Sequence, residues 1–277
     1  NALRAVLTGT LPASEFTGKG LYNALDLCLE CKACKAECPS TVDMAKLKYE
    51  FLSHYHRVHG TPLRDRLFAD IARLSRLGSL LAPLSNWVAV APPTRWLLSV
   101  LGIHPNRKLP VFSGWTFSSW YKKHKPLPNS KDRGQVVLFH DTFMESTHPS
   151  VGSAATRLLE AAGFEVLLVP KNCCGRPMIS KGMLVRAREE ARINVGLLHP
   201  YAAKGIPIVG TEPSCLLTLR DEYPDLLPGD SKTLTVAKNT YLLDEFLVHL
   251  EDNGGAGIKF APRPGKVIFH GHCHQKA

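Results

Sequence analysis

The tightest constraint on this chain is the run Cys28-Leu-Glu-Cys31-Lys-Ala-Cys34-Lys-Ala-Glu-Cys38-Pro39. Four thiols crowded into so short a stretch cannot pack as an ordinary core. The spacing C-x2-C-x2-C-x3-C-P is the bacterial ferredoxin-type arrangement for a [4Fe–4S] cluster. Three thiolates two residues apart let a tight loop wrap one cube of iron and sulfide, and loop amides turned toward the sulfurs tune its potential. Pro39 ends the loop and directs the chain into the next helix. A two-pair zinc site wants its pairs farther apart. In proteins with two such clusters, the fourth cysteine of a run ligates the other cluster. Either Cys38 closes this cluster, or Cys28, Cys31 and Cys34 take a fourth ligand from a companion run outside the sequence. The chain opens on Asn1 and stops inside the motif-like stretch Gly271–Ala277, so we expect an internal piece of a longer polypeptide.

The other four cysteines are Cys173, Cys174, Cys215 and Cys273. Clustering of this kind favours metal ligation in a reducing cytosol over a disulfide framework, and we expect a cytoplasmic location. A hydrophobic content of 44% and a charged content of 21% fit a globular chain and exclude disorder and collagen. No run of 18 apolar residues reads as a membrane-spanning helix. The net charge is +10. Residues 1–130 carry 17 Lys/Arg against 8 Asp/Glu, whereas residues 131–277 carry 17 against 16. A basic half suits an anionic membrane surface or an acidic redox partner. Nucleic acid is not expected, because no basic block interleaves with aromatics.

Hydrophobic periodicity gives an α+β reading with three parts. Residues 1–77 read as a helical ferredoxin-like domain holding the cysteine loop. A helix capped by Asp43 carries Leu47, Phe51 and Tyr55 on its apolar face, and a second runs from Pro62 through Leu77. Residues 78–130 are rich in proline and contain Trp87, Trp96, Trp115 and Trp120, all the tryptophans of the chain. We read them as a connecting segment that packs its aromatics on the neighbouring domain; the alternative is an interfacial element in peripheral contact with lipid at the inner face of a membrane. Residues 131–277 alternate strands at 135–140, 165–169, 206–210 and 266–270 with helices, which predicts a Rossmann-like α/β domain with a mostly parallel sheet. On that assignment Asp141, Cys173-Cys174, Glu212 with Cys215, and Cys273 each follow a strand, at the carboxyl edge where open α/β sheets build sites. His270, His272 and His274 flank Cys273 and can ligate, donate hydrogen bonds or relay protons. Arg176 and Lys181 can stabilise a reduced, negative centre. His54, His56 and His59 read as solvated helix-face residues.

The motifs LCLECKACKAECP, VDMAKLKYEFL, CCGRPMISKG, EPSCLLTLRDEYPDLLP and HGHCHQKA together resemble one group. It is the iron–sulfur C-terminal portion of FAD-linked oxidases of the D-lactate, glycolate and D-2-hydroxyglutarate dehydrogenase kind. The resemblance implies a flavin domain upstream, or a separate flavoprotein, that oxidises a small D-2-hydroxy acid. Electrons would pass from FAD through [4Fe–4S] to an acceptor such as a quinone, a cytochrome or another redox protein. It implies cluster ligands Cys28, Cys31, Cys34 and Cys38, a truncated second CCG repeat beginning at Cys273, and no catalytic base in this chain. A fuller CCG repeat has cysteines where this chain has Asp141 and Glu212; only Cys173, Cys174 and Cys215 match. A second metal or cluster there, a mononuclear metal, or an acceptor site are the readings left open. Two alternatives stand beside the fused oxidase. One is a separate iron–sulfur subunit of the glycolate oxidase or anaerobic glycerol-3-phosphate dehydrogenase type. The other is a heterodisulfide-reductase-like thiol redox module using Cys173-Cys174.

Overall fold

The apolar runs of the second half pair as a small parallel sheet. In the computed structural model, which describes residues 2–276 except 105, 129, 256 and 259–264, the strands are β1 (Gln135–Leu138), β2 (Glu165–Leu167), β3 (Ile208–Gly210) and β4 (Thr240–Leu242). Their order is β2-β1-β3-β4, with Val136 opposite Val166, Val137 opposite Ile208, and Val209 opposite Tyr241. Parallel strands covered on both faces read as continuous Val/Ile/Leu runs, as these do. Phe117, Leu138, Leu159, Phe164 and Phe246 close the core around them.

The fourth strand is a correction. Lys266–His270 makes no ladder, and Val267, Ile268 and Phe269 are exposed, Ile268 at 96%. The sheet edge is filled instead by Thr240–Leu242, where Thr240 and Leu242 are buried and the Tyr241 ring lies 6.0 Å from that of Phe246. A strand is stabilised by its partner, and apolar composition alone does not supply one.

The described chain divides into two compact units, the first made of Asn1–Asp70, Gly175–Arg188 and Ile268–Ala277, the second of Ile71–Cys174 and Glu189–Val267. In the first unit, helix Met44–His59 is capped by Asp43, whose carboxylate accepts from the Lys46 amide at 3.1 Å, and it ends at Gly60 in the left-handed region. Its buried face carries Ala45, Tyr49, Leu52 and His56, together with Lys48 and Phe51, whereas Leu47 is exposed. The buried stripe is therefore rotated from the Leu47-Phe51-Tyr55 line. Gly182 approaches this face so closely that a Cβ there would lie 2.5 Å from Leu52 Cβ, which only glycine permits. His56 is buried rather than solvated; burial holds its pKa below the ordinary value, while Asp65 at 3.9 Å opposes that. The helix expected over 62–77 is two, Leu63–Ala69 and Ile71–Leu80, broken at Asp70 where the first unit's opening stretch ends.

Residues 78–130 fall in the second unit as short helices Leu84–Val90, Pro92–Val100 and Phe117–Tyr121. The last of these packs as expected: Phe117 is fully buried, Trp120 stacks 5.9 Å from it, and the Tyr121 hydroxyl donates to the Val166 carbonyl. Trp87, Trp96 and Trp115 instead face solvent. Among the described residues no helix is long and apolar enough to cross a membrane.

Candidate cysteine sites

In the second unit, the carboxyl edge of the sheet collects side chains from three strand-following segments. Asp141 follows β1 and caps helix Thr142–Ser146, accepting from the Phe143 and Met144 amides at 2.8 and 3.0 Å. Glu212 follows β3 and caps helix Pro213–Leu217, accepting from the Ser214 amide at 3.2 Å. Helix caps of this kind satisfy amides that have no partner within their own helix. Cys173 and Cys174 follow β2, and Cys215 sits within the helix that Glu212 caps. The hydrogen bond between Cys174 and Cys215 favours the Cys215 thiolate, but burial and the charges of Asp141, Glu212 and Cys173 hold the Cys215 pKa above its ordinary value. Cys173 is partly exposed, whereas Cys174 and Cys215 are buried.

The vicinal pair is held by its backbone. Asn194 donates to the Cys173 carbonyl at 2.9 Å and to the Tyr223 hydroxyl at 2.9 Å, and it accepts from the Asn172 amide at 3.0 Å. Tyr223, fully buried, donates in turn to the Cys174 carbonyl at 3.1 Å. His140, two residues past β1, is pushed down to a pKa of about 3 by burial, with Lys171 adding to the shift. An imidazole that stays neutral in the fold but titrates near 6.5 when unfolded contributes stability that is complete above about pH 6.5 and is lost as pH falls toward 3. His140→Gln is therefore expected to flatten the acid limb of stability by a few kcal/mol. Urea midpoints measured between pH 7 and 4 check this; parallel pH profiles for both proteins would refute it.

In the first unit, the cysteine run forms an irregular loop through Cys28 and Cys31 and then the short helix Ala33–Glu37, which contains Cys34 and is capped by Cys38. Glu30, Lys32 and Thr41 take the left-handed backbone region, at φ of 57°, 59° and 51°. Such residues cost about 1–2 kcal/mol each, and they persist where the surroundings dictate the turn. These turns aim amides at sulfur. The Glu30 amide donates to Cys28 Sγ at 3.4 Å and the Met44 amide to Cys34 Sγ at 3.3 Å. The Val42, Ser40 and Thr41 amides lower the Cys38 pKa, which favours its thiolate. Lys48 donates to the Cys28 carbonyl at 2.7 Å. Glu30, buried between Cys28 and Cys31, has its pKa raised by burial against the opposing charges of Arg176, Lys48 and Lys181. Arg176 lies 3.4 Å and Lys48 3.7 Å from its carboxylate. His274 Nε2 lies 3.3 Å from the Glu30 carbonyl, and burial, with Arg176 and Lys32, takes its pKa to about 4. Cys273 opens the helix Cys273–Lys276 in this unit, is exposed, and is preceded by residues 266–270 that form no strand.

Among the described residues no three His, Cys, Asp or Glu side chains stand close enough to hold a metal ion. At the sheet edge both carboxylates are committed to helix caps, Asp141 to the Phe143 and Met144 amides and Glu212 to the Ser214 amide. The loop differs. A cluster presents four irons on a cube, so its thiolates stand farther apart than ligands of one ion, and soft sulfur donors with amides on them suit it. The loop donor set fits an iron–sulfur cluster.

Residues 137–220, which contain the vicinal cysteines and Cys215, match the cysteine-rich domain family CCG. This chain carries a CCG domain. Around it, the chain is 33% identical over 217 residues to a subunit of the anaerobic glycerol-3-phosphate dehydrogenase of Escherichia coli, with 77% of this chain and 54% of that protein covered. It is 28% identical over 260 residues to D-2-hydroxyglutarate dehydrogenase of Escherichia coli, with 90% of this chain and 25% of that enzyme covered. It is 24% identical over 242 residues to the probable glycolate oxidase iron-sulfur subunit of Bacillus subtilis, with 82% of this chain and 53% of that protein covered. The chain thus spans about half the length of the two subunits and a quarter of the dehydrogenase. No solved structure matches it. The resemblance to the C-terminal iron–sulfur portion of FAD-linked oxidases holds. Asn194 and Tyr223, which hold the CCG cysteines, carry no sequence signal of their own.

Proposed function

We propose that this chain is the iron–sulfur electron-transfer part of an FAD-linked oxidoreductase acting on a small D-2-hydroxy acid. Cys28, Cys31, Cys34 and Cys38 hold a [4Fe–4S] cluster, which supplies one-electron transfer when bound. The observation that carries the reading is the loop whose left-handed turns aim amides at Cys28, Cys34 and Cys38. Thiolate is the ligand form, and the amides on Cys38 favour it. Lys48 and Arg176 fix Glu30 and so fix the turn between the first two thiols. The flavin and the substrate chemistry belong to a domain or flavoprotein outside these residues. The acceptor end is the CCG domain. The relatives named as subunits of glycerol-3-phosphate dehydrogenase and glycolate oxidase support this division of labour.

The test is anaerobic reconstitution with iron and sulfide. Brown protein with a broad absorption bleached by dithionite and a paramagnetic signal on reduction is expected. Colourless protein without labile sulfide would overturn the reading.

Glu30→Gln supplies a sharper check. Removing a carboxylate beside two ligand cysteines, while Lys48 and Arg176 remain, is expected to raise the reduction potential by tens of millivolts, about 1 kcal/mol for a screened charge. A spectroelectrochemical midpoint equal to the parent's would show that Glu30 exerts no field on the loop.

A further inference from the structure

Residues 71–130 hold eight Lys/Arg and no Asp or Glu. Within them the structure leaves large apolar side chains in water. On helix Leu84–Val90 these are Leu84, Trp87 and Val88; on helix Pro92–Val100 they are Trp96, Leu97 and Val100. Trp87 and Trp96 are each 69% exposed. The two helices pack on one another. A soluble surface rarely exposes so much contiguous apolar area without a partner. Beside these helices lies a cavity of about 180 Å³ lined by Arg95, His104, Arg107 and Lys108 together with Val90 and Leu98.

We propose that this surface docks on an anionic phospholipid bilayer. Leucine and valine suit the acyl boundary, tryptophan the headgroup level, and Lys/Arg the negative surface potential. The cavity lining combines basic and apolar side chains, the complement of a lipid phosphate and the first carbons of its chains. A second copy of the chain is a poor occupant, because it would bring eight like charges against eight. Nucleic acid would leave the exposed leucines and valines without a partner. The prolines at 83, 92 and 93 leave two short helices instead of one long one, and the short helices still present these side chains outward.

Two of the four tryptophans, Trp87 and Trp96, lie on this surface, so the part of the emission that the Trp87→Ser/Trp96→Ser variant lacks reads it. The full chain is mixed with vesicles of phosphatidylcholine alone or with added phosphatidylglycerol, and binding is followed by flotation and emission. Expected is co-flotation with the anionic vesicles, emission moving to shorter wavelength, and release by salt. The double variant Trp87→Ser/Trp96→Ser is expected to bind at least about tenfold more weakly, with its thermal midpoint unchanged because both rings are exposed. Arg95→Gln/Arg107→Gln/Lys108→Gln is expected to lose the preference for anionic lipid. No flotation at low salt, or equal binding to neutral vesicles, would overturn the proposal. So would an emission shift that follows protein concentration without lipid, which would mark an interface between copies.

Discussion

Cys31→Ser is expected to remove the iron–sulfur absorption of reconstituted protein and most of its bound iron, and to lower the unfolding midpoint of the reconstituted form to that of the iron-free protein. The reason lies in the loop. Glu30 and Lys32 flank Cys31 and both sit in the left-handed region, at a cost of about 1–2 kcal/mol each. Ligand binding to a folded loop is coupled to folding, so bonds to iron would offset that cost. Serine supplies a hard alcohol in place of a thiolate and keeps the size of the side chain. The discriminating comparison is with iron-free parent protein. If the variant retains a full complement of labile sulfide, Cys31 is not a ligand and the loop assignment fails. If iron is lost while stability of the reconstituted sample stays at the parent's level, cluster and fold are uncoupled.

The second large effect belongs to the CCG domain. Asn194 is completely buried and its amide serves three partners: the Asn172 N–H, the Cys173 carbonyl and the Tyr223 hydroxyl. Asn194→Ala removes all three bonds, of which the one to the Tyr223 hydroxyl is buried and those to Asn172 and Cys173 are part-buried. Each unsatisfied buried group costs roughly 1–3 kcal/mol, so a loss on the order of 3–5 kcal/mol is expected. Urea unfolding measures it. Because the backbone of Cys173 and Cys174 is then released, their reaction with a disulfide reagent should also quicken, while iron uptake at the loop is retained. Tyr223→Phe, which removes only the bond to Cys174 and one partner of Asn194, should cost about 1–3 kcal/mol. A change below about 1 kcal/mol in Asn194→Ala would mean that the buried network does not position the vicinal pair.

These networks show where sequence reasoning stops. The thiols of the loop, the Asp43 cap and the first three strands were legible because each is a local signal: a spacing, a capping carboxylate, or a β-branched run. β4 was not, since Thr240–Leu242 is three residues long and takes its identity from pairing with β3. Lys266–His270 failed in the opposite sense, having the composition of a strand and no neighbour. His56 reads as polar and sits buried beside Asp65, a contact that no periodicity encodes. Glu30 was visible only as a spacer between cysteines; its partners Arg176 and His274 lie 146 and 244 positions away. Asp141 and Glu212 were read as stand-ins for missing cysteine ligands, whereas the structure uses both to terminate helices.

The first unit is stitched from three stretches far apart in the chain. A polypeptide cut near residue 77 would keep all four loop thiols yet lack the guanidinium of Arg176 and the imidazole of His274 that surround Glu30. On a ribosome the same arithmetic applies: the thiols emerge early, but their supporting shell arrives only after some two hundred further residues. On the cluster assignment proposed above, metallation of this loop would be a late event in biogenesis, deferred until the last of the three stretches has been drawn in.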